Sequence, residues 1–357
     1  MRPPTEAIRT LVALSFVAAA SLAAAPSVHA QLNCGDTVAA GDSVTLTADV
    51  TDCSGDGLPA LTVVGPGRLD LGGRQIRCTA MDPADGVRLV GSKARIENGS
   101  IRGCDTYGLE LAGEGGHTVR GVHVRSTSGD GVVVASASNK IDATTSTNNT
   151  GSGFAVAGEG TKITDSVATN NSDGFSITSD GNRVQECGST NNDQDGFSVA
   201  GSENRFKENV ATTNGSDGFE VAGSDNRFKD DTAARSTAKG FSVTGNDNRI
   251  DDAKATHNAT RGFEIAAAST GNRLGDVAAT SNGSIGISIE GDDVRVKDCR
   301  SIKSAGDGIR VSGGTGNRID GCLSLESGGN DVEDTDACAG ADWRRNVFNT
   351  SNDACID

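Results

Sequence analysis

Hydrophobic and polar positions alternate over short spans along most of this chain, and equivalent spans return at a regular interval. One span places a glycine before an apolar, polar, apolar triplet, as in Phe197, Ser198 and Val199. Alternation with a period of two residues is typical of a β-strand with one buried face. The sequence therefore predicts many short strands, and no helical stripe is sustained.

The interval between equivalent spans is marked by a column of glycines. Successive glycines in this column lie 21 to 24 residues apart, most often 22. An interval that regular indicates one structural unit stacked on itself. The column consists of Gly86, Gly108, Gly131, Gly153, Gly174, Gly196, Gly218, Gly240, Gly262, Gly286 and Gly308.

Each repeat contains two further spans. The second pairs an exposed basic residue with an inward apolar one, as in Arg205 and Phe206, and the third is centred on a small residue such as Ala211. Three short strands with three turns use about 22 residues, which describes one coil of a parallel β-helix. Leucine-rich, hexapeptide and calcium-binding nonapeptide repeats fit less well because their signature residues are missing. We expect about a dozen coils in one elongated domain.

The two ends of the chain differ from the repeats. Residues 1–30 combine two early arginines, an apolar run and small residues before Ala30, which is typical of a secretory signal peptide. We expect residues 31–77 to form an N-terminal cap with the first irregular coils, 78–325 the repeats, and 326–357 a C-terminal cap. Trp343 and Phe348 are the large apolar side chains that would cover the open end.

Charge and hydropathy restrict the partners. The chain has 32 Lys and Arg against 48 Asp and Glu, a formal net charge of −16. So acidic a protein is poorly suited to bind nucleic acid or an anionic membrane. No segment after the signal peptide is long and apolar enough to be a transmembrane helix. The chain is expected to be exported, to the periplasm or the extracellular space, and to be monomeric because β-helix ends are capped.

Cysteines near the two ends support this organisation. In an oxidising compartment we expect Cys34 to pair with Cys53 and close the first cap. We likewise expect Cys338 to pair with Cys355 and close the last one.

The remaining cysteines lie within the coils. Cys299 and Cys322 occupy the same place in successive coils, so a disulfide is within reach, although two stacked thiols fit nearly as well. Cys78 and Cys104 are a looser pairing, and Cys187 is then left as a buried thiol.

Stacking turns every repeated residue into a row along the rod. An asparagine row predicts side-chain amides hydrogen-bonded along the axis. It consists of Asn149, Asn171, Asn192, Asn214, Asn258 and Asn282, with Ser236 interrupting it.

A basic row allows two interpretations. A polyanion could lie along it, but acids two residues before and three residues after its central members predict a ladder of surface ion pairs instead. The row consists of Lys140, Lys162, Arg183, Arg205, Arg227, Arg249, Arg273, Arg295 and Arg318.

The candidate chemistry is an acidic row of Asp173, Asp195 and Asp217, each directly before a column glycine. Carboxylates roughly 4.8 Å apart repel one another, so they would bind Ca²⁺ or hold a raised pKa. They could also act as acid and nucleophile or base in glycoside cleavage. Asp-Gly is equally a common turn dipeptide. Tyr107 and His123, on neighbouring coils, are further catalytic candidates.

The Asn-Arg-Ile and Asp-Gly-Phe repeats, the opening Cys34-Gly35-Asp36-Thr37 and the closing Cys338, Trp343, Asn346, Phe348, Cys355 pattern resemble a known family. They are similar to secreted right-handed parallel β-helix repeat proteins of the pectate-lyase-like superfamily. The resemblance implies an all-β, single-stranded right-handed β-helix and carbohydrate as the ligand class. It does not fix an activity, because the superfamily includes lyases, hydrolases, epimerases and members without known activity.

The repeat is not interrupted where a catalytic cluster would be inserted. We therefore expect a secreted binding or structural protein whose partner is an acidic or cell-surface polysaccharide. One alternative is a lyase or glycoside hydrolase acting on a uronate-containing polysaccharide, in which Ca²⁺ on the acidic row would neutralise the substrate. Another is a Ca²⁺-stabilised surface adhesin.

Overall fold

A computed structural model describes residues 27–55, 58–79 and 84–356. Their secondary structure consists of strands and turns, and it includes no helix that could cross a membrane. Of the predicted signal peptide, residues 1–26 lie outside the described part. Its last residues form the strand Val28–Ala30, which pairs with Ser43–Leu46.

Each coil contributes three strands that pair in parallel with the corresponding strands of the next coil. Phe175–Ile177, for example, pairs residue for residue with Phe197–Val199. The chain thus winds into a β-solenoid with three faces, and the all-β fold predicted from the repeat is confirmed. Face 1 is a sheet of fourteen strands, one for each coil. Its strands are Thr37–Val38, Pro59–Val64, Asp85–Val90, Tyr107–Leu111, Asp130–Val134, Phe154–Val156, Phe175–Ile177, Phe197–Val199, Phe219–Val221, Phe241–Val243, Phe263–Ile265, Ile287–Ile289, Ile309–Val311 and Val332–Asp334.

Faces 2 and 3 form one sheet because two long strands, Arg95–Arg102 and Thr118–Arg125, run across both. The other strands of face 2 are Val28–Ala30, Ser43–Leu46, Arg68–Asp70, Lys140–Asp142, Lys162–Thr164, Arg183–Gln185, Arg205–Lys207, Arg227–Lys229, Arg249–Asp251, Arg273–Gly275, Arg295–Lys297, Asn317–Asp320 and Ala341–Arg344. The other strands of face 3 are Val50–Cys53, Gln75–Cys78, Thr145–Thr147, Val167–Thr169, Gly188–Thr190, Val210–Thr212, Thr232–Ala234, Lys254–Thr256, Ala278–Thr280, Arg300–Ile302 and Leu323–Leu325.

The fourteen coils exceed the expected dozen. The glycine column marks only the coils from Gly86 to Gly308. Thr37–Val38 and Pro59–Val64 precede the column and Val332–Asp334 follows it, and each adds a coil to face 1.

The core is a file of phenylalanine rings behind face 1. Neighbouring rings from Phe154 to Phe263 lie 4.6–4.9 Å apart between centroids and within 9° of parallel. Phe206 and Phe228 form a second, shorter file. Its rings contact the first file edge-on, and the centroids of Phe228 and Phe219 are 5.9 Å apart. Stacked rings bury large apolar areas, so each coil is stable only against its neighbours.

The glycine column exists because successive coils approach closely there. A Cβ on Gly196 would lie 2.6 Å from both Asn214 Nδ2 and Gly218 O, which leaves no space for a side chain. The amide of Asn214 belongs to the predicted asparagine row. In this row each side-chain oxygen accepts the backbone N–H of the preceding coil, as from Asn192 N to Asn214 Oδ1 at 3.1 Å. The row is therefore an internal hydrogen-bond ladder.

A second asparagine ladder was not predicted. Asn182, Asn204, Asn226 and Asn248, each directly before an arginine of face 2, are buried. Their Oδ1 atoms accept backbone N–H groups in the same way, with distances of 2.7–2.9 Å from Asn182 to Asn272. In most of the regular coils, two corners are thus stabilised by amides.

Four disulfides join eight cysteines of the described residues. Cys34 pairs with Cys53 and Cys338 with Cys355 at the two ends. The inner pairs are Cys78 with Cys104 and Cys299 with Cys322, and Cys187 is a buried free thiol.

Trp343 and Phe348 cover the C-terminal end of the core. Trp343 is buried opposite Ile319, and its indole N–H donates to Asp334 Oδ2 at 2.9 Å. Phe348 packs against the same end.

Candidate functional site on face 1

In the coils that carry the glycine column, two positions form the outer surface of face 1. These are the residue before the column glycine and the middle residue of the strand, since the strand alternation buries the flanking side chains. The two positions meet diagonally between adjacent coils. Lys239 in one coil, for example, contacts Glu264 in the next at 2.8 Å. Side chains separated by about 25 residues in sequence are therefore direct neighbours.

The predicted acidic row lies at the first of these positions and is mostly buried. Asp195 and Asp217 are 9% and 8% exposed. Each carboxylate accepts a backbone N–H from the next coil, from Asp195 N to Asp173 Oδ1 at 3.0 Å and from Asp217 N to Asp195 Oδ1 at 2.8 Å. Asp217 accepts the Lys239 N–H at 2.8 Å. One role of this row is consequently to accept hydrogen bonds from the backbone N–H groups of the turns.

Glu220 extends the row into an acidic cluster, which we define as Asp173, Asp195, Asp217 and Glu220. Burial raises the pKa of Asp173 and that of Asp217. Burial also raises the pKa of Glu220, together with the charge of Asp195 and a hydrogen bond that the two carboxyl groups share. Ser198 Oγ donates to Glu220 at 3.1 Å and opposes this rise. Glu220 therefore retains a proton more readily than an isolated carboxyl group does.

A mixed-charge chain continues from the cluster along the same face. Lys239 Nζ contacts Ser242 Oγ at 3.2 Å as well as Glu264. Arg261 bridges Glu264 and Glu290, the latter at 2.8 Å. The acidic cluster and the mixed-charge chain together cover six coils, which at roughly 4.8 Å per coil makes a line about 24 Å long.

Calcium binding by Asp173, Asp195 and Asp217 stays a prediction of the sequence. Within residues 27–55, 58–79 and 84–356, no three His, Cys, Asp or Glu side chains are arranged to hold a metal ion.

Tyr107 and His123, the other predicted catalytic residues, are not brought together. Tyr107 lies on face 1, where burial and the charges of Glu110 and Asp85 raise its pKa. His123 is exposed on face 3 and contacts Thr147 Oγ1 at 3.1 Å.

The basic row lies on face 2, and its predicted ion pairs are wrong in detail. Arg249 and Arg318 pair with acids two residues later, Asp251 and Asp320, and not with the acids two residues before or three after. Those predicted acids occupy left-handed turns at the edges of the face, whereas the arginines lie on its strands. Within the described part, the following have no ion pair within 4.0 Å: Arg183, Arg205, Arg227, Arg273 and Arg295.

Sequence reasoning missed Glu220 and the mixed-charge chain. One signal was available: the middle position of the face 1 strands is serine at Ser176, Ser198 and Ser242 but glutamate at Glu220 and Glu264. An outward-facing position at which the residue type changes between coils therefore indicates a candidate site better than an aspartate that is repeated in several coils.

No curated protein matches the sequence. Among solved structures, a mannuronan C-5 epimerase A-module from Azotobacter vinelandii is 14% identical over 88% of this chain and 89% of that one, with a TM-score of 0.45. A pectate lyase is 16% identical over 73% of this chain and 71% of that one, with a TM-score of 0.45.

The Dettilon tailspike protein is 15% identical over 83% of this chain, with a TM-score of 0.38, and this chain spans 58% of its length. The family described as "Right handed beta helix region" matches in three overlapping segments, residues 69–187, 107–249 and 173–324. These segments cover most of the chain, and the protein therefore belongs to the right-handed β-helix family.

Proposed function

We propose that this protein is an exported polysaccharide-binding protein that holds a glycan chain along face 1. The observation that supports this proposal is the continuous line of buried and half-buried polar side chains from Asp173 to Glu290, which crosses six coils. A line about 24 Å long suits a polymer better than a small molecule. Carboxylate, hydroxyl, ammonium and guanidinium groups supply both the acceptors and the donors that sugar hydroxyls require.

The charge of the line favours a neutral glycan. The acidic cluster is negative and the mixed-charge chain is balanced, so a uronate chain would be repelled unless a cation were bound with it. Tyr107 is three coils away from Asp173 along face 1, which leaves hydrogen bonds rather than ring stacking to hold the sugar. The resemblance to the pectate-lyase-like superfamily supports carbohydrate as the ligand class.

Export is supported by the cysteine chemistry. Four disulfides are stable in an oxidising compartment and would be reduced in most cytosols.

A glycan array tests the proposal. The wild-type protein is expected to bind neutral glycans. Asp195→Asn keeps the oxygen that accepts the Asp217 N–H but removes the charge, and it is expected to weaken binding about tenfold or more. Asp225→Asn removes the same charge from an exposed turn beside face 2 and is expected to change nothing. A blank array, or equal binding by all three proteins, would contradict the proposal.

Glycoside hydrolysis is a second candidate, favoured by the Asp195–Glu220 pair. A carboxyl group that retains its proton beside a carboxylate is the arrangement that acid catalysis of glycoside cleavage uses. A lyase is less well supported, because Lys239 and Arg261 are engaged by Glu264 and neither is available as a base.

Release of reducing ends from the glycans that bind would separate the two functions. If the protein hydrolyses them, Glu220→Gln is expected to abolish release while the variant still binds. If the wild-type protein releases no reducing ends, hydrolysis is excluded and the binding proposal is unaffected.

A further inference from the structure

Three arginines are stacked on successive coils of face 3, far in sequence from the line on face 1. Arg77 pairs in register with Arg102, and Arg102 with Arg125. We propose that these three side chains form an oxyanion-binding site, separate from the glycan-binding surface.

The first support is the absence of protein partners. Within the described ranges, none of the three guanidinium groups forms an ion pair within 4.0 Å, although Arg68, Arg88 and Arg120 on nearby coils do. Like charges on neighbouring coils, roughly 4.8 Å apart, repel one another. In a protein with a net charge of −16, three adjacent cations without carboxylates form a local positive patch that attracts an external anion.

The second support is a pair of buried donors. The Nε atoms of Arg102 and Arg125 are inaccessible to solvent and have no hydrogen-bond acceptor in the described part. A buried N–H without an acceptor is destabilising, and such groups are rare in native proteins unless an ion or water binds there. An anion in the groove would neutralise the stack, and rotation of the two side chains towards it would give both donors an acceptor.

The shape of the surface indicates the size of the ligand. A groove of about 190 Å³ runs over the stack. It is smaller than the pockets that hold drug-sized ligands, so it suits a single oxyanion group. Guanidinium groups bind sulfate, phosphate and carboxylate oxygens through paired N–H donors. The groove is lined by Arg77, Cys78, Arg102, Gly103, Arg125 and Ser126.

The surroundings are polar but only weakly acidic. His123 lies two residues before Arg125 on the same strand, and Ser100 is its partner on the preceding coil. Asp49 is near one end, where hydrogen bonds from Gln75 lower its pKa and Arg74 and Arg102 contribute. Asp49 forms no ion pair with Arg102, so the stack is left open to an external anion.

Calorimetric titration of the full-length protein at low ionic strength tests the site. The probes are inorganic sulfate, inorganic phosphate and trigalacturonate, which distinguish the three sources of an oxyanion. At least one probe is expected to bind the wild-type protein. Arg102→Gln is expected to weaken that binding about tenfold or more. Arg102→Lys is also expected to weaken it, because it keeps the charge but loses the Nε donor and the planar fork.

Two further variants make the result specific. Arg227→Gln removes an unpaired arginine from face 2 and is expected to bind as the wild type does. Arg77→Gln changes an exposed side chain of the stack, so it is expected to fold normally and bind more weakly, which covers the case in which Arg102→Gln is unstable. Failure of all three probes to bind, or equal weakening in Arg227→Gln, would overturn the proposal. Neither result bears on glycan binding, which is measured with neutral sugars on another face.

Discussion

Asp231 shows how one repeated position can hold a titratable side chain. It lies one coil after Asn209 in the same column and accepts three N–H groups, from Asn209 N at 2.8 Å, Asn209 Nδ2 at 2.9 Å and Lys229 N at 3.0 Å. Even with these donors, burial raises the pKa of Asp231 to about 7. The carboxyl group is therefore protonated in the folded protein over a pH range in which it ionises in the unfolded chain.

This difference predicts a pH dependence of stability. Between about pH 4 and 7 the folded state binds the extra proton, so the free energy of unfolding should fall as the pH rises through that range. The full loss is at most about 4 kcal/mol, from a shift of roughly three pKa units. Asp231→Asn removes the titrating group and is expected to flatten the profile, as measured by urea unfolding at several pH values. An unchanged profile in Asp231→Asn would show that Asp231 does not titrate in this way.

The contacts of some residues can be predicted from the sequence, and those of others cannot. Cys299 and Cys322 share a column, so their proximity follows from the repeat alone. The contact between Asp195 and Glu220 does not, because it joins different columns on adjacent coils and depends on how side chains reach across the surface. Residues in the same column of the repeat can be recognised from the sequence as neighbours, whereas residues of different columns that meet on adjacent coils cannot.

At the scale of the strand, the phenylalanine file connects the coils. Phe219 lies 4.7 Å from Phe197 and 4.6 Å from Phe241 between ring centroids, and Phe228 contacts it edge-on. Because a coil in a solenoid is stabilised by its neighbours, a defect in the middle affects the interfaces on both sides.

Phe219→Ala should therefore be costly. The cavity and the lost contacts are expected to reduce the free energy of unfolding by about 3–5 kcal/mol, measured by chemical denaturation. Phe348→Ala, at the partly buried C-terminal end, is the matched control and should cost less. A loss below about 1 kcal/mol in Phe219→Ala would mean that the file does not stabilise the coils.

Strands were predictable because alternation and spacing are local properties of the sequence. The second asparagine ladder was missed because Asn204 and Asn226 were considered only as residues next to the exposed arginines. In the structure both side chains are buried at a corner of the coil. The predicted ion pairs of face 2 were wrong because the acids chosen lie in the turns, whereas Asp251 and Asp320, which do pair, lie on the same strands as their arginines. Glu203, for instance, lies in a left-handed turn before the Arg205 strand, and no ion pair joins the two.

At the scale of the whole molecule, the regular part of the solenoid was predictable and the first coils were not. The glycine column begins at Gly86, so Thr37–Val38 and Pro59–Val64 could not be counted as coils from the period. The same irregularity concealed the arginine stack, whose members are 25 and then 23 residues apart. Only the register of the strands brings Arg77, Arg102 and Arg125 into one row.

The three faces consequently differ in chemistry although they share one fold. Face 1 has the acidic cluster and the mixed-charge chain, face 2 the exposed arginines, and face 3 the arginine stack. A repeat that varies only at outward positions can change its binding surface without disturbing the core.

The central claim is that a glycan lies along six coils of face 1, and the most direct test is the affinity of neutral oligosaccharides of increasing length. Titration calorimetry is expected to show the dissociation constant falling with each added sugar until the ligand spans about 24 Å, and then levelling off. In Asp195→Asn the curve should be shifted to weaker binding. An affinity that does not depend on length, or no binding at any length, would contradict the account.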